Sequence, residues 1–179
     1  MLYRYVFGYG SLLNEKSLLS TVSEIIEIKP ALISGYRRDF GLWVEDGMKH
    51  DCADQCGKAY YAMNAEKKEG AKMNGVLIKV DQEQYDKLVQ REKQYDIHDV
   101  EVYDFVENKV ITNGSLFVAS KGAGGFNFDN PAQLKYLQIC LEGARSFGQD
   151  FYDEFVRTTY IGDKSLANYP QLSEEVNAL

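Results

Sequence analysis

The stretch Gly75-Val76-Leu77-Ile78-Lys79-Val80-Asp81-Gln82-Glu83-Gln84-Tyr85-Asp86-Lys87-Leu88-Val89-Gln90-Arg91-Glu92-Lys93-Gln94-Tyr95 changes period in its middle. As far as Val80 it is apolar, with β-branched residues at alternate positions, which is the composition of a strand. Asp81 then reads as a helix N-cap, and Gln84 three residues on completes a capping box. From there the spacing predicts a helix to about Tyr95. Tyr85, Leu88 and Val89 form its apolar stripe, and steps of three or four from them reach Glu92. Glu92 therefore continues the stripe, while Lys87, Arg91 and Lys93 are expected to point elsewhere. Burial without a full counter-charge raises a carboxyl pKa toward neutrality. Such a group can both take and give a proton near pH 7. Partial exposure, or a salt bridge to Lys93 or Arg38, is the alternative fate of a glutamate placed this way.

Upstream, ring-rich Tyr3–Gly8 reads as a strand that ends in the turn Gly8-Tyr9-Gly10-Ser11, with a short helix expected near Asn14. Two glycines around a ring let the backbone approach a ligand closely. A strand end that runs into successive free N–H groups makes a concavity suited to an anion such as a carboxylate. Taken alone, the same residues also fit an ordinary tight turn. They are not a phosphate loop, since no Gly-Lys-Ser/Thr follows. Ala31–Val44 reads as extended, Glu45–Gln55 as a loop, Gly57–Met63 as a strand, and charged Glu66–Lys72 as a solvated turn.

Downstream, Val100–Val106 and Val110–Ser120 look extended, and Asn113-Gly114 predicts a hairpin turn because type I′ turns need positive φ at both central residues. Gly122–Gly125 is read as a loop that could cover a cavity. Asn130-Pro131 opens the longest helix, which Leu134, Leu137, Leu141 and Ala144 carry toward Gly148. A shorter helix follows over Asp150–Arg157. The polar tail from about residue 163 is expected to wrap the surface or move. Strands, one central helix, more strands and then helices make an α+β chain. No repeat or linker divides it, so residues 1–179 are read as one domain.

The chain has 179 residues, is 45% apolar and carries 27 acidic against 20 basic side chains, a net charge of −7. That balance argues against binding the backbone of a nucleic acid and against docking on an anionic membrane. No run of about 18 apolar residues predicts a membrane span. The N-terminus lacks a secretory pattern, and three cysteines suit a reducing cytoplasm. His50, Cys52 and Cys56, with Asp51 and Asp54, lack the pair spacing of a zinc site, so no metal is expected. His98, between Asp96 and Asp99, reads as a surface residue that could still lie near Glu92, and Cys140 as a small core residue.

Together these residues resemble the γ-glutamylcyclotransferase superfamily, whose branches include the ChaC-like proteins. The resemblance runs through Val6-Phe7-Gly8-Tyr9-Gly10-Ser11-Leu12, Gly35-Tyr36-Arg37-Arg38-Asp39-Phe40, Asn74–Val80 and the segment from Leu88 through Arg91-Glu92 to Tyr95. It implies a small mixed β-barrel flanked by helices, with the substrate in a cavity at its mouth. It also implies Glu92 as the catalytic acid/base and Tyr9, Gly10, Ser11, Leu12 and Tyr95 as substrate-binding residues. No metal or other cofactor is implied. The reaction would close a γ-glutamyl compound to 5-oxoproline and free its amine. Arg91 beside Glu92 is similar to ChaC-like members, whereas Pro131–Gly148 resembles the late helix of the cyclotransferase branch. The leaving group therefore stays open among glutathione, a γ-glutamyl amino acid and a γ-glutamyl amine. Removal of a γ-glutamyl protecting group and non-catalytic binding of a small ligand are the other readings. The sequence leaves the oligomeric state open.

Overall fold

Two long strands organise the chain: β2 (Glu27–Val44) and β3 (Tyr60–Asp81). They pair antiparallel from Glu27 opposite Lys79 to Val44 opposite Tyr60. The structure is a computed structural model that describes residues 2–45, 59–120 and 124–177. Strand β1 (Tyr3–Gly8) lies antiparallel on the second half of β3, with Tyr3 opposite Asp81 and Gly8 opposite Val76. Its other edge runs parallel to β5 (Val110–Ala119), and β4 (Tyr95–Asp104) joins β5 antiparallel before meeting β2. The order β3-β1-β5-β4-β2 then closes through the β2–β3 ladder. The result is the expected small mixed barrel. Short strands β6 (Thr159–Ile161) and β7 (Lys164–Ser165) extend it beyond β2.

The apolar runs fill this barrel and the space beneath its helices. Val6, Phe7, Val76, Ile78, Val102 and Leu116 are all buried. Helix α1 (Glu15–Leu19) is capped by Asn14, whose side chain accepts from the Ser17 N–H at 3.1 Å. Helix α2 (Gln82–Arg91) is capped by Asp81, which accepts from the Gln84 N–H at 2.9 Å. Helix α3 (Pro131–Ser146) is capped by Asn130 and has proline in its first turn. Helices α4 (Gln149–Arg157) and α5 (Pro170–Asn177) complete the shell. The stretch after Gly162 forms β7, a 3-10 turn and α5, and it buries Leu166, Leu172 and Val176.

Three local readings are corrected. Residues 66–72 stay within β3 rather than turning. The ladder steps from Ser34–Lys72 to Tyr36–Lys67, and positive φ at Gly35 (83°) and Gly70 (75°) accommodates the irregularity. Asn113 and Gly114 lie inside β5, opposite Glu101 and Val100. The hairpin turns instead after Asp104, whose carboxylate accepts the Val106 and Glu107 N–H groups at 2.9 and 2.8 Å, with Asn108 at φ 54°. That Asx-type turn competes better than Asn-Gly because β5 needs residues 113 and 114 for pairing. Helix α2 ends at Arg91, so Tyr95 opens β4 instead of closing the helix.

Gly75 makes the close approach of β1 possible. A Cβ there would stand 2.4 Å from the Gly8 carbonyl oxygen and 2.6 Å from the Phe7 ring. Gly75→Ala should therefore destabilise the fold by about 2 kcal/mol or more, a cost typical of overpacking. Urea unfolding of the variant measures it. Asp39 on β2 provides a pH test. Its Oδ1 is buried without a hydrogen-bond partner among the described residues. Burial pushes its carboxyl up to about 6, with Glu66 adding to the rise and Arg37 opposing it. The folded state holds that proton more tightly than the unfolded chain, whose aspartates titrate near 3.9. Its contribution to stability is thus whole below about pH 4 and is lost as pH rises through about 6. Asp39→Asn should match the parent near pH 4 and gain about 1–2 kcal/mol above pH 7, after allowance for its partial exposure. Denaturation at both pH values checks the sign.

Candidate active site

Strand β1 and helix α2 bring the two halves of the site together. Asp81, at the start of α2, lies opposite Tyr3, at the start of β1. The strand advances about 20 Å over its six residues. The helix then covers about 15 Å in the same direction over its ten. Its C-terminal end therefore arrives beside the turn that follows Gly8. Glu92 is the C-cap of α2, its N–H bonded to the Leu88 carbonyl, and its side chain is only 7% exposed.

The turn is a 3-10 helix, Ser11–Leu13, entered from Gly10. The Leu13 N–H donates to the Gly10 carbonyl at 3.1 Å, and the Asn14 N–H to that of Ser11 at 3.1 Å. The first N–H groups of such a turn have no partner within it. Helix α3 seats directly on the turn. A Cβ at Gly143 would come within 2.6 Å of the Leu13 and Asn14 backbone, and Asn14 Nδ2 donates to the Ile139 carbonyl at 3.2 Å.

One small cavity lies between these elements. Tyr9, Gly10, Ser11, Leu12, Glu92 and Tyr95 all line it. Three further lining residues, Met63, Phe117 and Tyr136, went unread in the sequence. Tyr136 sits among the leucines of α3 and has the look of an ordinary core ring. The Met63 peptide is held on both sides, donating its N–H to Tyr136 Oη at 2.9 Å and accepting from Tyr95 Oη at 2.9 Å. Tyr136 also stacks on Tyr60, with ring centroids 5.0 Å apart. Tyr9 Oη donates to the Phe117 carbonyl. Burial pushes the Tyr9, Tyr95 and Tyr136 phenols well above their ordinary range, and the Glu92 charge adds to the rise at Tyr9 and Tyr95. All three stay neutral; Tyr9 and Tyr95 donate, and Tyr136 accepts.

Glu92 has a counter-charge that the helix pattern did not suggest. Arg91 turns inward instead of away, is 3% exposed, and places Nε 3.0 Å from Glu92 Oε1. Arg91 closes the regular helix three residues after buried Leu88, and Glu92 follows as the non-helical C-cap. Arg38, a sequence-based alternative partner, is instead bound to Asn74 at 2.9 Å, with its guanidinium over the Phe155 ring. Burial raises the Glu92 pKa, and the charge and hydrogen bond of Arg91 limit the rise. A buried carboxyl of raised pKa can move protons beside backbone donors able to hold an anion.

Other candidates fall away from this cavity. His98 Nδ1 pairs with Tyr36 Oη at 2.9 Å, and Cys140 is buried on α3. Gly124 and Gly125 lie against Phe40 and Tyr61 instead of over Glu92, while Gly122 is outside the described residues. His50, Cys52, Cys56, Asp51 and Asp54 are also outside them. Among the described residues, no cluster of His, Cys, Asp or Glu could hold a metal ion, and no helix is long and apolar enough to cross a membrane.

Known proteins share this architecture. A solved structure titled gamma-glutamyl cyclotransferase superposes with a TM-score of 0.69 at 15% identity, covering 99% of this chain and 100% of the other. An uncharacterized protein from Homo sapiens gives 0.67 at 16% identity, with 98% of each chain covered. A gamma-glutamyl cyclotransferase specific to glutathione from yeast gives 0.57 at 15% identity, covering 98% of this chain and 96% of that one. At these identities the likeness is one of fold. No curated protein matches the sequence. The ChaC-like protein family matches residues 4–146, most of the chain. This protein therefore belongs to the ChaC-like family.

Proposed function

We propose that the protein converts a γ-glutamyl amino acid, peptide or amine into 5-oxoproline and the free amine. Glu92 moves the protons, and the Tyr9-Gly10-Ser11-Leu12 turn with Tyr95 holds the substrate. The observation that carries this reading is a buried carboxyl of raised pKa in the same cavity as the turn. A cavity that only held an acidic ligand would gain nothing from a second acid at that position.

The substrate's α-carboxylate sits on the N–H groups of the turn, with its γ-carbonyl near Glu92. The α-amine attacks the γ-carbonyl carbon, and the C–N bond to the departing amine breaks. Glu92 accepts a proton from the attacking nitrogen and gives one to the leaving nitrogen, so the protein ends in its starting state. Nucleophile and electrophile belong to one molecule, so the site's main task is to fold the substrate and exclude water. The neutral Tyr9, Tyr95 and Tyr136 rings serve that purpose. Membership of the ChaC-like family, and a yeast neighbour whose title specifies glutathione, make glutathione the first substrate to test.

Glu92→Gln should keep the fold, since the amide has nearly the same size and shape, and should lose activity by about 10³-fold. Chromatographic release of 5-oxoproline from glutathione, γ-glutamyl-alanine and γ-glutamyl-lysine isomers reads this, and full turnover by the variant removes Glu92 from the reaction. Gly10→Ala places a methyl 3.1 Å from Tyr136 Oη and 3.4 Å from Met63 Cβ. It should narrow the cavity and raise KM by about tenfold, the effect of about 1.4 kcal/mol of lost binding. Steady-state kinetics on the best substrate of the panel measures it.

A further inference from the structure

We propose that Arg91 is a positioning residue for the reaction: its guanidinium fixes Glu92 through Oε1 and, by donating to the Ser11 hydroxyl, turns that hydroxyl's proton toward the substrate. The proposal rests on the cyclotransferase reading above and assigns a role which that reading leaves open.

The geometry of the fork carries it. Nε meets Glu92 Oε1 at 3.0 Å. Nη2 donates to Ser11 Oγ and Ser17 Oγ, each at 3.1 Å. Nη1 donates to the Ser17 carbonyl and to Thr21 Oγ1, each at 3.0 Å. One planar group thus spans the end of α2, the 3-10 turn, the middle of α1 and Thr21 just beyond it. Its neighbours hold it as firmly as it holds Glu92.

A guanidinium has donors and no acceptor. The Ser11 oxygen facing Arg91 must therefore accept, and its single proton must go elsewhere. Ser11 lines the cavity and is nearly buried. Its O–H is thereby committed as a donor to an oxygen of the bound γ-glutamyl group, either the α-carboxylate or the γ-carbonyl. Such a preset donor costs no reorientation when charge develops on that oxygen. With Oε1 held, proton transfer falls to Oε2 of Glu92. The cation also opposes the rise that burial imposes on the Glu92 pKa. The other titratable groups around the pair are the Tyr9, Tyr95 and Tyr136 phenols, all neutral, so Arg91 is the charge that sets the balance. A lysine keeps the charge but cannot reach Glu92 and Ser11 with one rigid fork.

The test is a double-mutant cycle joined to a titration. Ser11→Ala should lower kcat/KM about tenfold in the parent. Arg91→Lys should lower it about 100-fold, and adding Ser11→Ala to Arg91→Lys should cost less than about twofold more. Arg91→Met should move the ascending limb of the pH–rate profile upward by about one pH unit or more. Additive losses for Ser11 and Arg91, or a limb that stays in place, overturn the proposal and leave Arg91 a structural residue. If Arg91→Met does not fold, the lysine cycle decides alone. The proposal also stands apart from turnover. In protein labelled at the glutamate carboxyl carbon, the NMR signal lost in Glu92→Gln should titrate at higher pH in Arg91→Met. A parent that releases no 5-oxoproline from any substrate sinks the cyclotransferase reading, and the titration still decides the hold of Arg91 on Glu92.

Discussion

The antiparallel ladder between β2 and β3 closes the barrel, and the candidate site hangs from that closure. β3 supplies the surface on which β1 lies, and it ends at Asp81, the cap of α2. Because β1 and α2 leave the same end of the barrel and run the same way, the turn after Gly8 and the carboxyl of Glu92 meet at the other end. Neither needs a long loop to reach its place. A slip of one residue in the β1–β3 register would move the buried Val6 and Phe7 out of their places and shift the turn relative to the helix end. Gly75 guards that register, since any side chain there would collide with the Gly8 backbone.

Two charges are then buried side by side where the elements meet. Removing a carboxylate and a guanidinium from water costs several kcal/mol per ion, and mutual attraction offsets this only with good geometry and further hydrogen bonds. Arg91 meets that condition through Glu92, Ser11, Ser17 and Thr21. Replacement of such a pair by apolar residues is often neutral or stabilising. Its presence in a small cavity beside a turn with spare donors fits chemistry better than stability.

Much of this was legible in the sequence, for identifiable reasons. The capping box at Asp81 and the stripe through Leu88 located Glu92, because helix periodicity is a local property. The glycines around Tyr9 marked the turn, because close backbone approach demands them. What failed was non-local. Asn113-Gly114 has the local chemistry of a hairpin, but strand pairing with Val100 and Glu101 overrides it. The charged run at 66–72 reads as a turn until the paired bulge with Gly35 is known. Arg91 was expected to point away from the Glu92 stripe, and its partners Ser11, Ser17 and Thr21 lie far off in sequence. The packing of α1 and the 3-10 turn over the end of α2 encloses it. Met63, Phe117 and Tyr136 reach the cavity from three separate elements, and no spacing along the chain announces that meeting.

The central claim is that one γ-glutamyl group lies between the 3-10 turn and Glu92. A crystal structure with the product 5-oxoproline tests it most directly. The account predicts the product in this cavity, its carboxylate within about 3.2 Å of Ser11 Oγ or of the turn's N–H groups, and its ring nitrogen toward Glu92. Product seated elsewhere, or bound here with its carboxylate turned away from the turn, would contradict it.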